Sequence, residues 1–215
     1  MKSLRMKPHG ADGLLISFCG LDGCGKSTMI QMLHQHLEAQ GKKVQITKQP
    51  TDWVRRSDMF RTYMDSRDHS EYDYRSLSLF AAADRIQHSN RMILPAINRG
   101  EIVLSDRYFY SCLANLCARG YEEEGWIYEI SEAIPRPDIA FFLDVPVEVA
   151  MARVRARPEE RDRYVDEALQ YRLRMEYREI CAHNGGVLID STTDAETTFR
   201  SILAHIKDKK EKPHE

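Results

Sequence analysis

The sequence predicts an α/β fold: a five-stranded parallel sheet covered by helices on both faces. Two observations predict it. Five short apolar runs alternate with stretches whose apolar residues recur at helical spacing, and that alternation is the mark of parallel strands joined by crossover helices. A glycine-rich loop also joins the first apolar run directly to the first helical stretch, at the place where such sheets gather ligands. At 215 residues, without an internal repeat or an interdomain linker, the chain is long enough to bury one substantial core.

Each element has its own signal. Leu14-Leu15-Ile16-Ser17-Phe18-Cys19 reads as a buried strand, and Thr28 to Leu37 as the helix after it. The second and third strands are expected over residues 43–47 and 101–105, with a helix-forming stretch, Leu77 to His88, between them. Pro135-Arg136-Pro137-Asp138 is a stiff turn feeding a fourth strand over 139–144. Asn184-Gly185-Gly186 closes a helix and opens the fifth strand, 186–190. The domain is expected over 13–207. Residues 1–12 are expected to be a flexible N-terminal segment and 208–215 a charged tail, since both are polar.

The loop is Gly20-Leu21-Asp22-Gly23-Cys24-Gly25-Lys26-Ser27, followed by Thr28. Its spacing is that of a nucleoside triphosphate site. Gly20, Gly23 and Gly25 let the backbone curl so that successive N–H groups, Cys24 included, point at phosphate oxygens. Lys26 reaches the β- and γ-phosphates, the Ser27 hydroxyl suits Mg²⁺, and the helix that begins here offers its positive end. These features predict that the chain binds a nucleoside triphosphate.

The other strand exits supply further candidates. The third run ends Ser105-Asp106-Arg107-Tyr108. An acidic residue beside a phosphate loop is placed to hold Mg²⁺ or its water shell, and an arginine fork grips a phosphate with two bonds. An ATPase of the usual kind carries Glu after that Asp to activate water, so Arg107 points instead to a second, anionic substrate. Asp22, inside the loop, would be repelled by bound phosphates unless turned toward a hydroxyl or a metal. Lys48, at the second exit, is either a phosphate contact or a solvated lysine. Between Arg153 and Arg163 there are five arginines in eleven residues, broken by Pro158. On a helix, Arg153 and Arg157 share a face. The segment, about 153–165, is either a solvated charged face or a lid that closes arginines over transferring phosphates.

Composition excludes several functions. A formal net charge of −2 argues against a nucleic-acid polymer or an acidic membrane as partner. Five cysteines without a C-x-x-C pair fit a reducing compartment. The first residues lack the apolar core of a signal peptide, and no apolar run approaches a membrane span, so a cytoplasmic location is expected.

Together the motifs resemble the thymidylate kinase family of P-loop nucleoside monophosphate kinases. Phe18 to Thr28 is similar to its F-x-G-x-D-G-x-G-K-[ST]-T, and Phe80 to His88 to its F-A-A-D-R-x-x-H. Ser105 to Ser111 is similar to S-D-R-Y-x-x-S, and Pro137-Asp138 with Leu143-Asp144-Val145 to P-D…L-D-V. The resemblance implies a three-layer P-loop kinase fold with an Arg-rich lid. It also implies Mg²⁺-dependent transfer from ATP to dTMP and a homodimer, for which the apolar 77–97 segment would serve. Asp22 would meet the acceptor's 3′-hydroxyl, and Arg107 its phosphate, with Asp106 near the metal. Arg85 would reach the base edge. The acceptor site would further include Lys48, Phe80, Tyr108, Cys112 and Asn115. Since Gly23 and Cys24 leave the loop without an arginine, Arg153, Arg157 and Arg163 become the candidates for that charge.

The nucleobase end departs from the family pattern. Phe80 precedes Arg85 by five residues rather than four, which swings the ring from about 40° to about 140° away from the arginine on a regular helix. Either a bulge restores it or another aromatic, Tyr72 or Tyr74, stacks the base. Cys112 takes the place of a small polar residue or glycine. Asn115 replaces an aromatic residue, leaving space and an amide for a ribose hydroxyl. These departures raise a rival acceptor, a ribonucleotide such as UMP or a modified nucleotide. A nucleotide sensor without an acceptor is a rival of another class, for which Arg107 and the arginine-rich segment would be superfluous.

Overall fold

The computed structural model describes residues 2–161 and 164–211, with side chains through residue 207. β1 (Leu14–Cys19) leads through the glycine-rich loop into α1 (Lys26–Glu38), and β2 (Val44–Lys48) follows. Three helices come next: α2 (Asp52–Arg55), α3 (Asp58–Asp65) and α4 (Tyr74–His88). A π turn, Ser89–Ile93, then joins α4 to α5 (Leu94–Asn98). β3 (Ile102–Asp106) precedes α6 (Tyr110–Cys117) and α7 (Trp126–Ile130). β4 (Ile139–Asp144), α8 (Val147–Arg155), α9 (Glu167–His183), β5 (Val187–Asp190) and α10 (Ala195–Glu211) complete the order.

The strands form one parallel sheet in the order β2-β3-β1-β4-β5. Its central strands are covered on both faces, so they read as continuous apolar runs rather than alternating ones. Leu15, Ile16, Phe18, Val103, Leu104, Phe141 and Phe142 are all buried. α1 and α10 pack together beside the sheet, while α4, α6 and α9 pack side by side, giving three layers. Register positions the site. Asp106 stands opposite Phe18 on one side and Lys48 on the other, so the ends of β2 and β3 meet the start of the phosphate loop.

The N-terminal segment is anchored, which differs from the expected flexibility of residues 1–12. Leu4 and Met6 are buried. The Leu4 amide donates to Asn184 Oδ1, the Arg5 amide to Ser131 Oγ, and the Arg136 amide to the Lys7 carbonyl. At the other end α10 continues to Glu211, into the expected tail; residues 212–215 lie outside the described residues. Among the described residues, no helix is long and apolar enough to cross a membrane.

Candidate active site

A cavity of about 560 Å³ opens at the carboxyl ends of the strands, walled by the phosphate loop, α2 to α4, α6, residues 154, 157–160 and 164–165, and α9. The loop forms one rim. Gly23 has φ 82°, and a Cβ there would stand 2.2 Å from the Ala150 carbonyl oxygen, so only glycine lets the loop pass α8. Gly20 is confined in the same way, 2.5 Å from the Leu143 carbonyl, and Gly25 (φ 97°) leads into α1. Buried Cys24 ties the loop to the fifth strand's exit, its carbonyl accepting from Ser191 Oγ. Buried Lys26 donates to the Gly20 and Leu21 carbonyls at 3.2 and 2.7 Å, which aims the ammonium into the loop's concavity. Ser27 and Thr28 are exposed in the first turn of α1, where backbone N–H groups lack intrahelical partners.

Arg107 is the hinge between this rim and the cavity. It has φ 67°, uncommon for a residue with a Cβ, and its amide donates to the Phe18 carbonyl at 2.8 Å. Nη1 donates to Gly20 O and Tyr177 Oη, and Nη2 to Asp22 Oδ1 at 2.5 Å. Burial works against the guanidinium charge, but Asp22, Tyr177 and Asp106 outweigh it and hold the pKa well above its ordinary value. Tyr177 Oη passes the chain of bonds on to Ser111 Oγ.

Asp106 is only 8% exposed. Its Oδ2 lies 3.4 Å from Lys48 Nζ, while its buried Oδ1 has no hydrogen-bond partner among the described residues. An orphaned carboxylate oxygen at the end of the strand beside β1, whose own exit is the phosphate loop, is a hard-oxygen donor that suits Mg²⁺. Asp22, the third candidate for the metal, has one carboxylate oxygen engaged by Arg107.

The acceptor candidates divide. Lys48, Asp22, Arg85, Arg107, Cys112 and Asn115 line the cavity. Arg85 is buried, held by Nη1 on the Ala81 carbonyl, with Nε lacking a partner among the described residues. Its neighbour Asp84 accepts from the Thr51 amide at 2.7 Å, tying α4 to the exit of β2.

Three expectations need correction. Phe80 faces away from the cavity and packs edge-on against Trp53, ring centroids 4.9 Å apart. The only bulge in α4 and its continuation is the π turn at Ser89–Ile93, beyond Arg85, so the rotation of Phe80 stands; Tyr74 lines the cavity and Tyr72 does not. Tyr108 is fully buried and donates to the Pro135 carbonyl, a structural bond away from the cavity. Asn115 has its amide oriented by the protein, Nδ2 donating to Ser111 O and Oδ1 accepting from Arg119 Nη1, so it is not the freely available amide for a ribose hydroxyl that the sequence suggested.

The lid candidates also part company. α8 ends at Arg155, so Arg157 is not on the helix with Arg153. Arg153 donates through both terminal nitrogens to Ser191 O, on the loop's outer side, while Arg157 lines the cavity. Arg163 lies outside the described residues. Motif reading misses Arg55, Phe60, Tyr63, Arg119 and Tyr177, all of which line the cavity. Tyr177 continues the buried stripe Leu169–Leu173 of α9 and is legible in the sequence only as core.

The chain was also compared with known proteins. A family model described as thymidylate kinase matches residues 18–202. A probable thymidylate kinase of Pyrococcus horikoshii is 37% identical over 203 residues, covering 91% of this chain and 96% of that protein. One from Pyrococcus abyssi is 34% identical over the same coverage. A thymidylate kinase of Acinetobacter baumannii is 36% identical over 163 residues, 74% of this chain and 80% of that protein. A match of this extent, on a parallel sheet carrying the phosphate loop and the Asp106-Arg107 exit, shows that the chain belongs to the thymidylate kinase family.

Proposed function

We propose that this protein transfers the γ-phosphoryl group of ATP to dTMP, giving dTDP and ADP, with Mg²⁺. Family membership supports the reaction. The observation that carries it is Arg107, bonded to Asp22 of the phosphate loop while also lining the adjoining cavity. One guanidinium thus serves the boundary between two anionic substrates.

In this reading an oxygen of the acceptor phosphate attacks the γ-phosphorus in line, and the bond from that phosphorus to the β,γ-bridging oxygen breaks to release ADP. The acceptor phosphate is already largely ionised at neutral pH, so no strong general base is needed. Positioning and charge neutralisation do the work. Lys26 and the amides from Gly20 to Thr28 hold the ATP phosphates. Arg107 and Lys48 hold the acceptor phosphate, and Arg157 adds charge from above the cavity. Arg153 serves the ATP side. Ser27 and Asp106 would hold Mg²⁺, which when bound neutralises the β- and γ-phosphate oxygens. Asp22 orients Arg107 and faces the acceptor's sugar, and Arg85 with Cys112 bounds the base.

The ribonucleotide rival loses its motive at the sugar, because the Asn115 amide is already bonded to Ser111 and Arg119. Its other motive, the displaced Phe80, bears on the base and not on the ribose hydroxyl. A sensor without an acceptor gives no reason for a cavity of about 560 Å³ beside the loop. We also read the enzyme as a cytoplasmic homodimer. Five free, buried cysteines support the location. The outer side of α4, where exposed Leu79 stands near half-buried Phe80 and exposed Trp53, supports the pairing. The test is a coupled assay of ADP release with dTMP, dUMP, UMP and dCMP. Preference for dTMP by a hundredfold or more is expected, and equal turnover of UMP overturns the acceptor assignment.

A further inference from the structure

Arg119 belongs to no motif, yet it lines the cavity. It follows α6 directly, and with Ser111 and Asn115 it continues one helical face at intervals of four residues. Its guanidinium carbon lies 4.0 Å from the centroid of the Tyr74 ring and 5.8 Å from that of Tyr63. Those two rings meet edge to face at 5.0 Å. Nη1 donates to the Asn115 carbonyl at 3.2 Å and to Asn115 Oδ1 at 2.9 Å. The Asn115 amide is in turn fixed by its bond to Ser111 O at 2.9 Å. The cation is therefore held by a stacked ring on one side and an oriented amide on the other. The carboxyl end of α6 adds a favourable dipole.

This clamp leaves donors over. Nε and Nη2 of Arg119 have no hydrogen-bond partner among the described residues, and the side chain lines the cavity. Distance says which part of an acceptor they meet. Ser111 is bonded to Tyr177 and through it to Arg107, at the phosphate end. Ser111 lies in the first turn of α6 and Arg119 just past its end at Cys117, about 10 Å along the axis at 1.5 Å per residue, which sets Arg119 toward the nucleoside end. One turn before Arg85, α4 offers Ala81 rather than a ring, and Phe80 packs on Trp53. The ring that α4 does turn into the cavity is Tyr74, at its first turn, and Arg119 lies against it.

We propose that Arg119 is a specificity-determining residue that donates to a carbonyl oxygen of the acceptor's base, with Asn115 and Tyr74 as its positioning residues. The inference rests on the kinase reading above and adds a residue to its acceptor site. A donor-only group favours a base with a carbonyl at the recognised position over one carrying an amino group there.

The test measures steady-state kinetics of the wild type, Arg119→Met and Asn115→Ala with dTMP, dCMP and 3′-deoxy-dTMP at saturating ATP. Arg119→Met keeps an unbranched side chain able to cover Tyr74. It is expected to raise the KM for dTMP at least tenfold, leave kcat and the KM for ATP within threefold, and narrow the dTMP-over-dCMP preference by a similar factor. Asn115→Ala, which frees the guanidinium without removing it, is expected to move both quantities less and in the same direction. If Arg119→Met does not fold, the Asn115→Ala kinetics decide the matter. An unchanged dTMP KM and acceptor ranking overturn the inference. So does an equal loss with dTMP and dCMP, or a rise in KM with dTMP that is absent with 3′-deoxy-dTMP. A wild type that phosphorylates none of the acceptors would instead overturn the kinase reading.

Discussion

Arg107 Nη2 lies 2.5 Å from Asp22 Oδ1, joining the end of β3 to the phosphate loop across the centre of the sheet. The relationship depends on a left-handed backbone at Arg107, which turns its side chain back over Gly20. A residue with a Cβ costs on the order of 1 kcal/mol in that conformation. The amide bond to Phe18 and three side-chain bonds offset it.

Replacing Arg107 or Lys26 is expected to remove most of the transition-state neutralisation. Arg107→Ala and Lys26→Met should each lower kcat/KM by about 10²–10⁴, roughly 3–5 kcal/mol of barrier. Arg107→Lys should recover little, because a single ammonium nitrogen lacks the planar fork whose Nη1 reaches Gly20 and Tyr177 while Nη2 reaches Asp22. Steady-state kinetics with dTMP checks this, and near-normal turnover of Arg107→Ala would remove the role assigned to it.

Phe80 separates stacking from packing. Because its ring lies on Trp53 outside the cavity, Phe80→Leu should leave the KM for dTMP within about twofold. The cost should appear as stability, about 1 kcal/mol for a half-buried ring. A large rise in KM with unchanged melting would return Phe80 to the acceptor site.

Alkaline pH should destabilise the fold. Burial pushes the Cys19 thiol up to about 12 and the Tyr177 hydroxyl up to about 12. Both groups hold their protons more tightly folded than unfolded. The stability this represents is present below pH 9.0, the ordinary thiol pKa, and is lost as pH rises toward about 12. Melting temperature should therefore fall steadily above about pH 9. The decline should be shallower in a Cys19→Ala variant, and a flat profile from about pH 9 to 11 would contradict the burial argument.

The N-terminal strap is a stability element. Deleting residues 2–8 exposes the surface beneath Leu4 and Met6, worth about 2–5 kcal/mol of buried apolar area. Melting should drop by roughly 5–15 °C. Kinetic constants should change little at a temperature where the variant is folded, since the strap's hydrogen bonds to Asn184, Ser131 and Arg136 involve no residue that lines the cavity among the described residues.

The sheet and the phosphate loop are legible in the sequence because they rest on local pattern. β1 and β4 begin and end where their apolar runs do. β2 and β3 each extend one residue further, to Lys48 and Asp106, polar residues kept in the ladder by their mutual register. Charge dominates the strap and suggests mobility, although Leu4 and Met6 alternate as a half-buried extended segment does. At the acceptor end, helical geometry predicts the rotation of Phe80 but not that Trp53, twenty-seven residues earlier, receives it. Motif alone puts Tyr108 at the acceptor, whereas its burial follows from its place behind β3. Arg119, Tyr63 and Tyr177 come from three separate elements and converge only in three dimensions, so no spacing in the chain announces them.

The most direct measurement follows the phosphoryl group itself. Incubating the enzyme with Mg²⁺, γ-³²P-labelled ATP and dTMP should place the label in the β-phosphate of dTDP, one per ADP formed, with label release negligible when dTMP is omitted. Label appearing as inorganic phosphate at the same rate with or without dTMP would contradict a site built to join two anionic substrates through Arg107.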